Sequence, residues 1–137
     1  MAKNQKRWVY RPKKPPSPKV PESIKAHVET QANQLIESFL KPAYIKPPPE
    51  EPRFNYLVEL STKWYRNYFY FCSRYCSPGP NAISPYFEDK FARLEYAGSD
   101  SFHLAFMRHT GKWQELYQGL TLDECLQAIR EEPFFQP

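Results

Sequence analysis

The sequence predicts an α+β fold: an antiparallel sheet of four to five strands, an N-terminal amphipathic helix, a short C-terminal helix and, ahead of them, an extended basic, proline-rich arm. Three observations predict it. Helical periodicity occurs near both ends, while the middle is a run of β-patterned segments separated by turn residues. Strands and helices do not alternate, which argues against a parallel nucleotide-binding sheet. The stretch Trp64 to Tyr75 is seven-twelfths aromatic with no acid, a composition that favours a strand. It reads as the central strand, with Trp64, Tyr68 and Tyr70 on one face and Tyr65, Phe69, Phe71 and Tyr75 on the other, so cover is expected on both sides.

A chain of 137 residues allows one domain, divided here into an arm, 1–20, and an α+β domain, 21–137. An aromatic share of 17% means a core built on rings, with tyrosine hydroxyls reaching the surface. Net charge is +4, but residues 1–20 hold seven cations and no acid, so the remainder is mildly acidic at −3.

The arm carries Lys3, Lys6, Arg7, Arg11, Lys13, Lys14 and Lys19, and its prolines at 12, 15, 16 and 18 bias it to polyproline II. Trp8, Val9 and Tyr10 form an apolar knot within the charge, expected to dock on the domain or on a partner. Pro21 suits a first helical turn, and Ile24, Val28, Ala32, Leu35, Ile36 and Phe39 recur at helical spacings. Pro42 is expected to end this helix near Leu40. Residues 42–53, with five prolines, form an extended strap.

Phe54 to Ser61 alternates as a strand, and Ser61-Thr62-Lys63 is the expected turn into the aromatic strand. Pro78-Gly79-Pro80 opens a loop. Residues 87–96, then Phe102 to His109, then Lys112 to Tyr117 make a meander, turning at Gly98-Ser99-Asp100 and Thr110-Gly111. Thr121-Leu122-Asp123-Glu124 has capping-box spacing and starts a helix over Leu122, Cys125, Leu126 and Ile129 that stops before Pro133. Phe134 and Phe135 are expected to tuck back onto the sheet.

The stretches Ala92 to Tyr96, Gly111-Lys112-Trp113-Gln114-Glu115-Leu116-Tyr117 and Leu122 to Phe135 resemble a family of small bacterial domains of unknown function, the one numbered 3024. The resemblance covers about two thirds of the chain. It implies the same order of helix, meander, short helix and Phe-rich end, and no catalytic residue, cofactor or partner. The basic arm and the cysteine-flanked loop depart from that pattern.

Cys72, Cys76, His103 and His109 raise a zinc site, but Cys-x3-Cys is looser than a zinc knuckle, and the two histidines lie about 20 Å apart on a straight strand at ~3.3 Å per residue. Packed thiols are the preferred reading, with no cofactor and no metal. No serine or cysteine sits in a nucleophile elbow, the paired acids point apart, and four glycines leave little for a phosphate-cradling loop, so an enzyme ranks last.

The arm is the strongest functional feature. Lys3, Lys6, Arg7, Trp8, Tyr10, Arg11, Lys13 and Lys14 would bind nucleic acid or a ribonucleoprotein surface by counterion release. Arg66 and Arg74 flank the aromatic run, where bases could stack as in single-stranded RNA binders, although the glycines of that pattern are missing. Arg108 and Lys112, beside Trp113, mark a basic hairpin tip. The alternative is a protein-interaction subunit whose arm and strap thread along a partner, anchored by Trp8 and Tyr10. No apolar run is long enough to span a membrane, no secretory signal is evident, and three cysteines fit a reducing cytoplasm, the expected location.

Overall fold

A computed structural model describes residues 18–50, 54–80, 82 and 84–137. The arm residues named above, from Lys3 to Lys14, lie outside the described residues.

The N-terminal helix α1 (Glu22–Leu35) starts at Pro21, whose fixed φ of −61° and missing N–H suit the cap position. It does not end near Leu40. A π-helical turn, Ile36–Leu40, leads directly into α2 (Lys41–Tyr44), so Pro42 sits inside a continuous helical segment. The wider turn, in which Lys41 N–H donates to the Ile36 carbonyl five residues back, displaces the carbonyl that the proline ring would strike. Val28, Ala32, Ile36 and Leu40 recur every four residues and are buried, making one narrow apolar seam along this segment. The expected strap therefore begins only at Ile45.

The sheet is a meander in the order β1 (Tyr56–Tyr65), β2 (Tyr68–Cys76), β3 (Tyr86–Tyr96), β4 (Phe102–Met107), β5 (Trp113–Leu120), with each strand antiparallel to the next. The turn into the aromatic strand is not at Ser61-Thr62-Lys63. β1 runs through those residues, and the chain reverses at Arg66-Asn67, where Arg66 adopts a left-handed φ of 55°. Trp64 pairs with Phe69 and Tyr65 with Tyr68, so the hairpin exchanges the expected faces of Trp64 and Tyr65.

Among the described residues, helices cover one face only. There Leu60, Trp64, Phe69, Phe71, Leu94, Phe102 and Leu104 meet the α1 seam and the buried side of α3 (Leu122–Glu131), namely Leu122, Cys125, Ala128 and Ile129. Each fully buried large side chain contributes about 1.5–3 kcal/mol. A bulge between Phe71 and Cys72 sets Phe91 and Ala92 side by side on β3, both buried, with Phe91 5.8 Å from the Phe71 ring. The α1 layer is also pinned to β1 by polar contacts: the Trp64 indole donates to the Lys25 carbonyl at 3.3 Å, and Lys41 reaches both Glu37 at 2.6 Å and Glu59 at 3.0 Å.

The capping box forms as the spacing predicts: Glu124 N–H donates to the Thr121 hydroxyl at 3.2 Å, and Thr121 N–H donates to the Glu124 carboxylate at 2.9 Å. Asp100, from the β3–β4 turn, accepts a further bond from Leu122 N–H at 3.1 Å. After α3, a 3-10 turn, Pro133–Phe135, buries Phe135 against Phe106. Phe134 packs on the same ring at 4.9 Å but stays 52% exposed.

Candidate nucleic-acid interface on the open sheet face

The face of the sheet away from the helices carries no layer of secondary structure among the described residues. The described helices pack on the side holding Phe69 and Phe71, so among the described residues the expected helical cover is present on that side. On the open face, strand alternation sets Tyr68 and Tyr70 of β2 beside Arg93 of β3, Ala105 of β4 and Trp113 at the start of β5.

These side chains form one stripe. Tyr68 and Tyr70 have ring centroids 6.1 Å apart, and Trp113 lies 5.8 Å from Tyr70. The guanidinium of Arg93 sits 4.7 Å from the Tyr68 ring and 5.1 Å from the Trp113 ring, while Lys90 Nζ is 5.7 Å from Tyr70. Ala105 makes this possible. A small residue on β4, opposite Arg93 in the register, leaves room for long side chains from β2, β3 and β5 to meet above it. No ion pair or side-chain hydrogen bond to another described residue fixes Arg93, and its Nε is buried without a hydrogen-bond partner. The cation is held by ring faces, whose negative quadrupole attracts it.

Burial raises the phenol of Tyr70, with the Arg93 charge opposing the shift. Lys63, which pairs with Tyr70 on the same face, bonds Glu88 at 3.2 Å, and that contact raises its ammonium above the ordinary lysine value.

Four of the arginines and lysines singled out in the sequence lie beside the stripe or beyond its ends. Arg66, in the β1–β2 turn, lies over Tyr65 at 5.2 Å. Arg74 sits farther along β2 and covers Tyr86 at 4.6 Å. Arg108 and Lys112 close the β4–β5 hairpin, Arg108 N–H donating to the Lys112 carbonyl at 2.9 Å, next to Trp113. The described end of the arm reaches the opposite end of the stripe: Pro18 and Lys19 line a cleft with Arg66 and Asn67. Gly98 lies beside Pro18 and adopts a φ of +100°, a backbone conformation that a side-chain-bearing residue rarely takes.

Lys90, Arg93 and Trp113 were not among the site residues that the sequence offered. Arg93, between Ala92 and Leu94 in an otherwise apolar run, was the available sign. Among the described residues no group of three His, Cys, Asp or Glu side chains could hold a metal ion. Cys72, Cys76 and Cys125 are free thiols, and burial pushes the Cys125 thiol up to about 12. No described helix is long and apolar enough to cross a membrane.

A family model described as a domain of unknown function, DUF3024, matches residues 20–137, which takes in every element of the fold. No curated protein matches the chain, and no solved structure does.

Proposed function

The chain belongs to this family of unknown function, and from its own residues we propose that it is a cytoplasmic, non-enzymatic binding module for single-stranded nucleic acid, free or on a ribonucleoprotein surface. In this reading bases stack on Tyr68, Tyr70 and Trp113, while the arm cations, with Arg66, Lys90, Arg108 and Lys112, meet the phosphates. One observation carries it: Arg93 is held between the Tyr68 and Trp113 rings on a sheet face that no described helix covers. A guanidinium plane among rings is a surface on which a splayed base can stack, and each such stack is worth about 1–3 kcal/mol. Duplex bases are already stacked, so a single strand fits this surface better. The arm adds to the same site because Pro18 and Lys19 enter beside Arg66, at one end of the stripe.

The test is titration of labelled single-stranded RNA and duplex DNA between low and physiological salt. Engaging four arm cations gives a log–log salt slope of about −3 on single strands, at ~0.7 per contact. Replacing Lys3, Lys6, Arg7, Lys13 and Lys14 by Gln flattens that slope, whereas Trp113→Ala lowers affinity at every salt concentration. Equal affinity of the charge-neutralised, Trp113→Ala and unaltered proteins for RNA defeats the proposal.

A second reading, a protein-interaction subunit, draws on a different region. Pro47, Pro48 and Pro49 are exposed, and Phe54, just beyond the strap, is 81% exposed. A proline-stiffened segment with a bare ring nearby suits polyproline recognition by a partner. Substituting Phe54 separates the two readings, since it leaves RNA binding unchanged and abolishes protein binding.

A further inference from the structure

The β3–β4 ladder stops at the Ala92–Phe106 pair, although β3 extends back to Tyr86. The overhanging stretch of β3 therefore has no β4 neighbour. The tip of the β4–β5 hairpin and the segment around Phe134 flank it, leaving a solvent-open cavity of about 580 Å³. That volume falls in the range of small-molecule sites.

The lining is graded. At the bottom lie Phe91, 6% exposed, and Ser73, 1% exposed. The Ser73 hydroxyl is buried without a hydrogen-bond partner, an arrangement that costs stability unless something arriving in the cavity satisfies it. Tyr75 stands next to it, and burial, followed by the Asp89 carboxylate, raises its phenol, keeping it a hydrogen-bond donor at neutral pH. Phe134, half bare to solvent, forms a ring wall. Asp89 supplies an acceptor at the rim, and Arg108 supplies positive charge.

We propose that this cavity is a binding site for a nucleoside monophosphate, taken either as the free nucleotide or as the phosphorylated end of a strand. The Phe91 and Phe134 rings receive the planar base, and the Ser73 and Tyr75 hydroxyls meet its polar edge. Asp89 accepts from ribose hydroxyls or base N–H groups, and Arg108 neutralises the phosphate. The site does not require the open-face stripe, because its floor and ring walls lie on the helix side of the sheet.

The experiment is calorimetric titration of the intact protein with AMP, CMP, GMP and UMP, with the matching nucleosides and with inorganic phosphate. Saturable binding of at least one nucleotide is expected, with its nucleoside and inorganic phosphate each weaker by about tenfold or more. Arg108→Gln weakens the nucleotide but not the nucleoside, and Asp89→Ala weakens both without affecting inorganic phosphate. Ser73→Ala lowers nucleotide affinity while leaving the melting temperature nearly unchanged, because the hydroxyl makes no hydrogen bond of normal geometry and its polar neighbour is the Tyr75 phenol. A 5′-phosphorylated oligonucleotide that outcompetes both the free nucleotide and its 5′-hydroxyl form identifies the strand end as the source. Equal competition by the two oligonucleotide forms, weaker than the mononucleotide, identifies the free nucleotide. Absence of saturable binding at millimolar nucleotide, or binding that Arg108→Gln and Ser73→Ala both leave intact, overturns the proposal. Retained RNA binding in that case leaves the open-face reading standing.

Discussion

The ring of Trp113, at the start of β5, lies 5.8 Å from that of Tyr70, in the middle of β2, so a contact spans the two strands between them. Ala105 permits it from below, and Arg93 occupies the space beside it. The pair forms the middle of the proposed stacking surface and supplies its own optical probe.

In a Trp8→Phe background, single-stranded RNA should quench Trp113 emission, and Trp113→Phe should remove most of the quenching. Trp64, bonded to the Lys25 carbonyl beneath α1, should be insensitive. Trp113→Ala should cost about 1–3 kcal/mol of binding free energy, the range for one lost base stack. Quenching that survives Trp113→Phe unchanged would place the RNA elsewhere.

The two terminal phenylalanines should differ sharply in their effect on stability. Phe135 is fully buried, so Phe135→Ala leaves a cavity and should cost about 3–5 kcal/mol. Phe134 keeps about half its surface in water, and Phe134→Ala should cost roughly 1 kcal/mol, the scale of one aromatic pair. Chemical denaturation of the two variants measures both.

Thiol reactivity should follow burial. Cys76 is partly exposed and should react with a disulfide reagent in the native state. Cys72 and Cys125 are buried, and burial raises both thiols above the ordinary range, so they should react only after unfolding. Counting modified thiols before and after adding denaturant checks this.

Glu59 predicts a pH dependence. The hydrogen bond from Leu60 N–H, and then the contact with Lys41, hold its carboxyl below the ordinary value of 4.5. A depressed folded-state value means that its contribution is present above the ordinary carboxylate range and is lost as the pH falls through the folded value. Lys41 behaves oppositely: its bonds to Glu37 and then Glu59 raise it above 10.5, so its contribution is lost only as pH rises through that raised value. Glu59 is exposed and Lys41 partly so, and solvent screening should keep the effects small. Melting temperatures across pH 3 to 6 should converge for Glu59→Gln and the unaltered protein at the acid end and separate toward neutrality.

Local rules made much of the fold legible. The capping box at Thr121 and Glu124, the meander over residues 86–120 and the burial of Phe135 follow from short-range chemistry, and each forms as its residues predict. The errors occurred where tertiary structure overrode a local preference. Pro42 normally stops a helix, but a π turn accommodates it because Leu40 and Ile36 must both face the core. Arg66-Asn67 is a weak turn dipeptide, and a left-handed Arg66 is tolerated because the Trp64–Phe69 and Tyr65–Tyr68 pairs hold the hairpin. The site was half visible: the aromatic run and Arg66 and Arg74 stood out, while Arg93 and Trp113 joined it only through the β3 bulge and strand order.

The pairing of each strand with its successor also has a kinetic consequence. Every hairpin in the order β1 to β5 closes between neighbouring segments, so the sheet needs no distant strand to begin forming. During synthesis the β1–β2 hairpin can zip as soon as it has left the ribosome, and each later strand adds to an edge already in place. The packing of α3 against the N-terminal helical segment, where Arg130 lies 4.6 Å from the Phe39 ring of the π-helical turn, joins elements far apart in the chain and must follow the strands between them. Until then the Phe69 and Phe71 face has only half its cover, so the arrival of α3 converts a growing hairpin stack into a closed, cooperative unit.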